Sequence, residues 1–331
     1  MSTALRIRRT APALLAHTFY EGETPADAAG AVAVTVTDAA GVSVATGDAT
    51  HAGAGTGRYT FHLAGQAQLA LLTVTWSGTI GGSAVTESDQ VEIVGGHLFT
   101  LVEGRGSDET LASPAKYSTA DLIEARQEVE EELERITGRS WTPRYRRLIL
   151  PGTGTWDLVL PDGGDEYVAS MLLRGVRSIR SAGIQHAPGA AVTPLSAGEL
   201  AALAVAGDGQ VRRTDGRTWT SGVGNVVIEY EYGSDAAPAD LVKAALVRFR
   251  SRLNIARSGV PDRAISFQVT EGGTYRLSTP SADRTGIPEV DAVYHRYARG
   301  AGGGQGGGPA PASRTLDYTP QHRSLFHGGH P

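Results

Sequence analysis

Apolar and polar residues alternate with a period of two through much of the first hundred positions. In Ala33-Val34-Thr35-Val36-Thr37 the valines fall on every second position, and the run stops at Asp38 and Gly41. Similar runs follow at Val42 to Thr46, Arg58 to Leu63, Leu69 to Trp76, Ala84 to Thr86 and Gln90 to Val94. Short β-branched runs separated by turn residues predict strands packed as a β-sandwich. Trp76 is predicted to pack between the sheets. With no cysteine in the chain, packing alone is expected to hold them together.

After this stretch the period changes. Leu122, Ala125, Val129, Leu133 and Ile136 recur at three- and four-residue steps, which puts them on one face of a helix. Ser118 or Thr119 is placed to cap it, Asp121 lies in its first turn, and Gly138 stops it. Its other face, with Glu128, Glu130, Glu131, Glu132 and Glu134, reads as a solvated surface supported by Arg126 and Arg135. A β-rich stretch follows from about Trp141 to Tyr232, with strands at Tyr145 to Leu150, Trp156 to Leu160 and Val226 to Tyr232, and a short helix at Glu199 to Val205. A second long helix is predicted from Pro238 to Arg257, with Leu241, Ala245, Phe249 and Leu253 inward. A hairpin is predicted at Phe267 to Val269 and Thr274 to Leu277, and a third helix from Pro288 to about Arg299.

These patterns divide the chain into five parts. Residues 1–13 form an N-terminal arm, 14–96 a sandwich, 97–116 a linker, 117–299 a mixed domain, and 300–331 a tail rich in glycine and proline. The sandwich's span of roughly 80 residues suits an immunoglobulin-like domain. The expected fold class is therefore multidomain: an all-β immunoglobulin-like sandwich, then an α+β, helix-rich domain and an extended tail. The tail cannot build a core by itself, so a partner is expected to hold it.

Composition narrows the function. The formal net charge is −5, and Lys116 and Lys243 are the only lysines, so tight salt-sensitive binding of DNA is not expected. The absence of cysteine removes thiol nucleophiles, disulfides and Cys-based zinc sites. No apolar run approaches the roughly 18 residues of a membrane span. The short apolar patch Ala11 to Ala16 after Arg6, Arg8 and Arg9 does not make a signal peptide.

Candidate chemistry is sparse. No phosphate-binding loop, nucleophile elbow, H-E-x-x-H or calcium-loop motif is present. The G-x-G-x-x-G spacing at Gly302, Gly304 and Gly307 lies in a glycine tract without a strand before it. His322, His327 and His330 allow either a metal site or a polar end, and the polar end is favoured because ligands need a rigid surround. Arg144, Arg146 and Arg147 suit an acidic protein surface better than DNA phosphates. Arg248, Arg250 and Arg252 either line an intersubunit contact or stay in water. No cofactor, metal or catalytic residue is expected.

The ordered phrases of residues 117–299 carry a resemblance. Ser118 to Thr137 leads into Gly138-Arg139-Ser140-Trp141-Thr142-Pro143-Arg144, then Leu158-Val159-Leu160-Pro161. Ala237-Pro238-Ala239-Asp240-Leu241 opens the next helix, and Gly259-Val260-Pro261-Asp262-Arg263-Ala264 leads to Gly273-Thr274-Tyr275-Arg276-Leu277. Thr285-Gly286-Ile287-Pro288-Glu289-Val290-Asp291-Ala292-Val293 opens the last helix. In this order the segment resembles the head-to-tail connector (adaptor) proteins of long-tailed phages, especially those of actinobacteria. The resemblance implies a structural virion protein of the neck, assembled in the host cytoplasm. It further implies a homo-oligomeric ring, usually of twelve copies, beneath the portal protein. A stopper or tail-terminator protein would lie on the other side, and DNA would cross the lumen without tight binding. The tail would reach the portal through Tyr318, Leu325 and Phe326, and Arg146, Arg248 and Arg252 are candidates for contact between subunits. Rival expectations are a stopper or tail-completion protein of the same neck, an adhesion or carbohydrate-binding module, and an enzyme.

Overall fold

A computed structural model describes residues 4–162, 166–168, 171–173, 175–187, 189–206, 209–255, 266–269, 273–276 and 284–299. The fold is a multidomain α+β arrangement with several sheets and a few helices.

The alternating stretch forms two facing sheets. Its strands are β1 (Leu5–Arg8), β2 (Ala13–Thr18), β3 (Ala33–Thr37), β4 (Ser43–Asp48), β5 (Thr50–His51), β6 (Arg58–Leu63), β7 (Ala70–Ile80) and β8 (Ser83–Val94). One sheet has the order β1-β8-β7-β3-β4 and the other β2-β6-β5. Val34, Val36, Leu72, Val74 and Trp76 point from the first sheet toward Leu15, Tyr59 and Leu63 of the second, all of them buried. Burial of such side chains contributes roughly 1.5–3 kcal/mol each. The β7–β8 hairpin turns on Gly81 and Gly82, at φ 56° and 82°. A two-residue loop with both φ values positive matches the twist of its strands. Packing is supplemented by a polar tie between the sheets. His17 on β2 lies 2.8 Å from Asp89 and 2.9 Å from Glu87 on β8, and Asp89 also accepts the Trp76 indole N–H at 3.0 Å.

Within the expected arm of residues 1–13, the described residues 4–13 are tied to the sandwich. β1 pairs in parallel with Val91–Val94 at the end of β8, and Ile7 enters the sandwich core. Residues 97–116 are likewise built into a domain, with α1 (Leu101–Gly106) and a 3-10 turn (Glu109–Ala112). Leu98, Phe99 and Leu111 join the helical core, where the Phe99 and Phe249 rings meet edge to face at 5.1 Å. Short apolar segments next to glycine read as a linker, yet they have a core to bury against.

That core is formed by α2 (Thr119–Thr137), α4 (Ala239–Ile255) and α5 (Pro288–Arg296), and includes Leu122, Val129, Leu241, Phe249, Val290 and Tyr294. Ser118 and Asp121 form a reciprocal capping box, and Gly138 ends α2 at φ 65°. The β-rich body holds β9 (Arg144–Gly152), β10 (Asp157–Val159), β11 (Val176–Gln185), β12 (Val192–Pro194), β13 (Leu203–Val205), β14 (Gln210–Arg213) and β15 (Gly222–Tyr232). The orders are β9-β15-β11-β12 and β10-β14-β13, with Leu158, Val211, Trp219, Val226 and Ile228 between them. The segment expected as one helix at Glu199 to Val205 is divided between α3 (Ala197–Ala201) and β13. Two further strands, Ser266–Val269 and Gly273–Arg276, pair where a hairpin was expected. Gly272 and Leu277 lie outside the described residues.

Candidate functional site

A dense polar cluster sits where the sandwich meets the second domain. β1 supplies Arg6, β8 supplies Glu92, α2 supplies Glu130 and Glu134, and β9 supplies Arg144. Arg6 lies 3.3 Å from Glu130, 2.7 Å from Glu134 and 3.8 Å from Glu92. Arg144 donates its Nε–H to Glu92 at 2.6 Å and also pairs with Glu134. Arg6, Glu92 and Glu130 are only 7 %, 6 % and 4 % exposed, so the centre of this network is withdrawn from water, with Glu134 and Arg144 partly exposed at its edge. Charges taken from water need opposed partners and hydrogen bonds to be tolerated.

Two forces compete at Glu130. Burial works to raise its carboxyl, but the His97 ring, the Leu98 N–H and Arg6 outweigh burial and hold it below the ordinary value. At Arg144 burial favours loss of the charge, while Glu134 and Glu92 together push the guanidinium above its usual range. Both residues stay charged at neutral pH.

Backbone and sheet-face contacts extend the junction. The Gly95 N–H donates to the Pro143 carbonyl at 2.8 Å, and Arg147 donates to the Ala39 carbonyl at 3.0 Å. Arg180 reaches the Leu69 carbonyl and Gln68 while its guanidinium lies 5.2 Å from the Tyr145 ring centroid. A cleft of about 540 Å³ opens beside the network, lined by Arg6, Glu92, Glu134, Arg144, Arg146 and Asp162 among others. Acids and bases oppose one another throughout it, so its evident chemistry is cohesion between two domains.

The acidic side of α2 is therefore an ionic interface and not a solvated face. Glu130 and Glu134 meet the sandwich, Glu132 binds Arg248, and Glu128 binds Arg252. Arg248 is corrected as a contact residue between copies. It is 2 % exposed and held in a bidentate pair by Glu132 at 2.6 and 2.9 Å, so it cannot reach another subunit. Arg252 pairs with Glu128 at 2.6 Å at a partly exposed position. Arg146 pairs with Asp162 at 2.6 Å and lies 4.7 Å from the Tyr232 ring centroid. Tyr318, Leu325 and Phe326, and the histidines His322, His327 and His330, lie outside the described residues. Among the described residues, no group of three or more His, Cys, Asp or Glu is arranged to hold a metal ion, and no helix is long and apolar enough to cross a membrane.

Arg6 and Glu92 were not singled out from the sequence. Glu92 carried a readable signal, a lone carboxylate between Val91 and Ile93 in an apolar strand, where an acid is buried only with a partner.

No family model matches the chain, and no curated protein matches it. Among solved structures it is similar to a chain titled as the virion of a native gene transfer agent particle, at 16% identity and TM-score 0.39, covering 61% of this chain and 89% of that one. It is also similar to a chain from the neck of an empty gene transfer agent particle computed with C6 symmetry, at 16% identity and TM-score 0.36, covering 60% and 88%. Neither likeness assigns a role to this chain.

Proposed function

We propose that this chain is a structural virion protein of the neck, the head-to-tail adaptor of a long-tailed phage. Copies form a closed ring, of twelve in the usual adaptor pattern, docked beneath the portal with DNA crossing the lumen. The protein performs no bond chemistry. The observation that carries this reading is convergence. Four of the sequence phrases that resemble the connector family meet in one core. Leu122 and Val129 come from the first phrase, Trp141 from the one that follows it, Leu241 from the one that opens α4, and Val290 from the last, while Leu158 and Leu160 pack in the core of the β-rich body and residues 259–264 lie outside the described residues. Trp141 donates its indole N–H to Thr137 at 3.0 Å and meets the Tyr297 ring edge to face at 5.6 Å. An arrangement in which distant phrases depend on one another supports reading them as a single inherited unit.

The sandwich is assigned as immunoglobulin-like. Its sheet order, with the first strand parallel to the last, supports that assignment. The tail beyond residue 299 is assigned to the portal. Native mass measurement of the full-length protein, alone and with purified portal protein, tests the proposal. A closed oligomer that binds portal is expected, and a monomer that ignores portal overturns the reading. Deleting residues 300–331 is expected to leave the fold intact and abolish docking.

A further inference from the structure

The two margins of the five-stranded sheet are treated differently. On one side β1 is covered by α2, where Gln127 accepts the Arg6 N–H at 3.3 Å and donates to the Ala4 carbonyl at 2.8 Å. On the other side β4 ends the sheet, and its residues are exposed except for the half-buried Ala45. Edge strands are normally protected by lysine, proline, a bulge or a covering element. Ser43-Val44-Ala45-Thr46-Gly47-Asp48 contains neither lysine nor proline; its one register shift against β3 falls at Val44, and from Ala45 to Asp48 the ladder is regular, so that stretch of edge is flat and open, with Val44 and the preceding Val42 exposed beside it.

The side chains of β4 are also unusual. Ala45 and Gly47 pair with Val36 and Val34, so they lie on the core side of the sheet. Both are small, and the half-buried Phe61 ring lies 3.2 Å from where a Gly47 Cβ would be. The sandwich is thus thin at this margin. An added strand with apolar residues on that side would cover Phe61.

The tail contains a sequence with the matching alternation. Thr315-Leu316-Asp317-Tyr318-Thr319 alternates polar and apolar residues and is bounded by Ser313 and Pro320. The tail departs beside the C-terminal end of α2. There the Arg299 N–H donates to the Thr137 carbonyl at 3.0 Å, and its guanidinium donates to the Pro161 and Asp162 carbonyls at 3.2 Å each. That is the β1 side of the sandwich, with β4 at the far margin of the sheet. From Arg299 to Thr315 the chain can span about 50 Å when extended.

We infer that residues 315–319 of one copy add to the β4 edge of the next, with Leu316 and Tyr318 over Phe61. The contact is heterologous, running from the β1 side of one copy to the β4 side of its neighbour, which is the kind of contact that closes a ring. This rests on the ring reading above. It moves Tyr318 from the portal to the neighbouring subunit and leaves Leu325 and Phe326 for the portal.

The absence of cysteine makes a direct test possible. Full-length Thr46→Cys protein is mixed with full-length Thr315→Cys, Asp317→Cys or Thr319→Cys protein and oxidised after assembly. Those three tail positions share a face with Thr46 in the proposed pairing. Disulfide-linked dimers joining the two variants are expected at one tail position. The variant Val44→Lys is expected to lower the oligomer fraction at least tenfold while leaving the circular dichroism spectrum unchanged. An oligomer that forms without any such link, or without loss in Val44→Lys, overturns this inference and leaves the ring standing. When Thr46→Cys and a tail cysteine share one chain, links confined within that chain also overturn it. A monomer under all conditions, indifferent to portal, overturns the ring reading itself and this contact with it.

Discussion

Arg6 Nη2 lies 2.7 Å from Glu134 Oε2, across 128 positions of sequence. The contact ties the first strand of the sandwich to the helix that organises the second domain. Glu134 also receives Arg144, so one carboxylate joins two domains through two guanidinium groups.

Replacing Arg144 by alanine leaves Glu92 and Glu134 short of their shared cation. Breaking a buried pair by removing one partner costs about 3–5 kcal/mol. The R144A protein is expected to lose that much unfolding free energy in urea titrations. A loss below about 1 kcal/mol, the range of an exposed pair, would mean that water screens the network.

The two arginines of α4 separate burial from exposure. Arg248→Ala removes a buried guanidinium from its pair with the half-buried Glu132 and leaves that carboxylate only Arg135 at 3.9 Å, with an expected loss of about 3–5 kcal/mol. Arg252→Ala breaks a partly exposed pair with Glu128 and is expected to cost about 0.2–1 kcal/mol. Equal effects in thermal melts would contradict the assignment of Arg248 to the interior.

Acid should loosen the loops around α3. Glu199 is held at about 2 by the Ser196 N–H, by Arg213 and by the Ser196 hydroxyl, against an ordinary value of 4.5. Asp215 is also held at about 2, chiefly by Arg213. A carboxylate whose folded value is depressed stabilises the fold above its unfolded value, and that stabilisation is lost as pH falls. The window here runs from about 4.5 down to 2. Carboxyl NMR titration should place the Glu199 midpoint near the bottom of this window. Ser196→Ala should move it upward, and an unmoved midpoint would remove the hydroxyl from the account.

Gly95 allows the domains to approach closely. A Cβ there would come 2.6 Å from the Pro143 ring, whereas one at Gly96 would meet nothing within 4 Å. Gly95→Ala is expected to destabilise by about 1–3 kcal/mol and to speed proteolysis near the junction. Gly96→Ala should stay within about 0.5 kcal/mol of the parent. Similar melting temperatures for the two variants would show that the junction yields freely.

Much of the fold was legible because local signals agreed with tertiary burial. The alternation of β3 put Val34 and Val36 on one face, and they are buried together with Trp76, the residue expected between the sheets. Ser118, Asp121 and Gly138 bounded α2 at both ends. The acidic face of α2 was misread because a solvated carboxylate row and an ionic interface look alike in one dimension. Glu130 meets Arg6 across 124 positions, and no local pattern announces such a partner. β11 escaped notice because its register shifts between Val176 and Ser178 and again between Ile179 and Ser181, which breaks the alternation. Gly104 suggested a linker, yet it is buried and packs close to the Phe249 ring.

The parallel seat of β1 has a consequence for biosynthesis. The ribosome delivers Leu5–Arg8 well before the strand's ladder partners Val91–Val94 and its carboxylate partners Glu130 and Glu134. Until those positions have left the exit tunnel, Arg6 has no destination and the nascent sandwich has an unclosed flank. The sandwich therefore closes only once the first long helix of the second domain has emerged, although domains commonly fold in order of emergence.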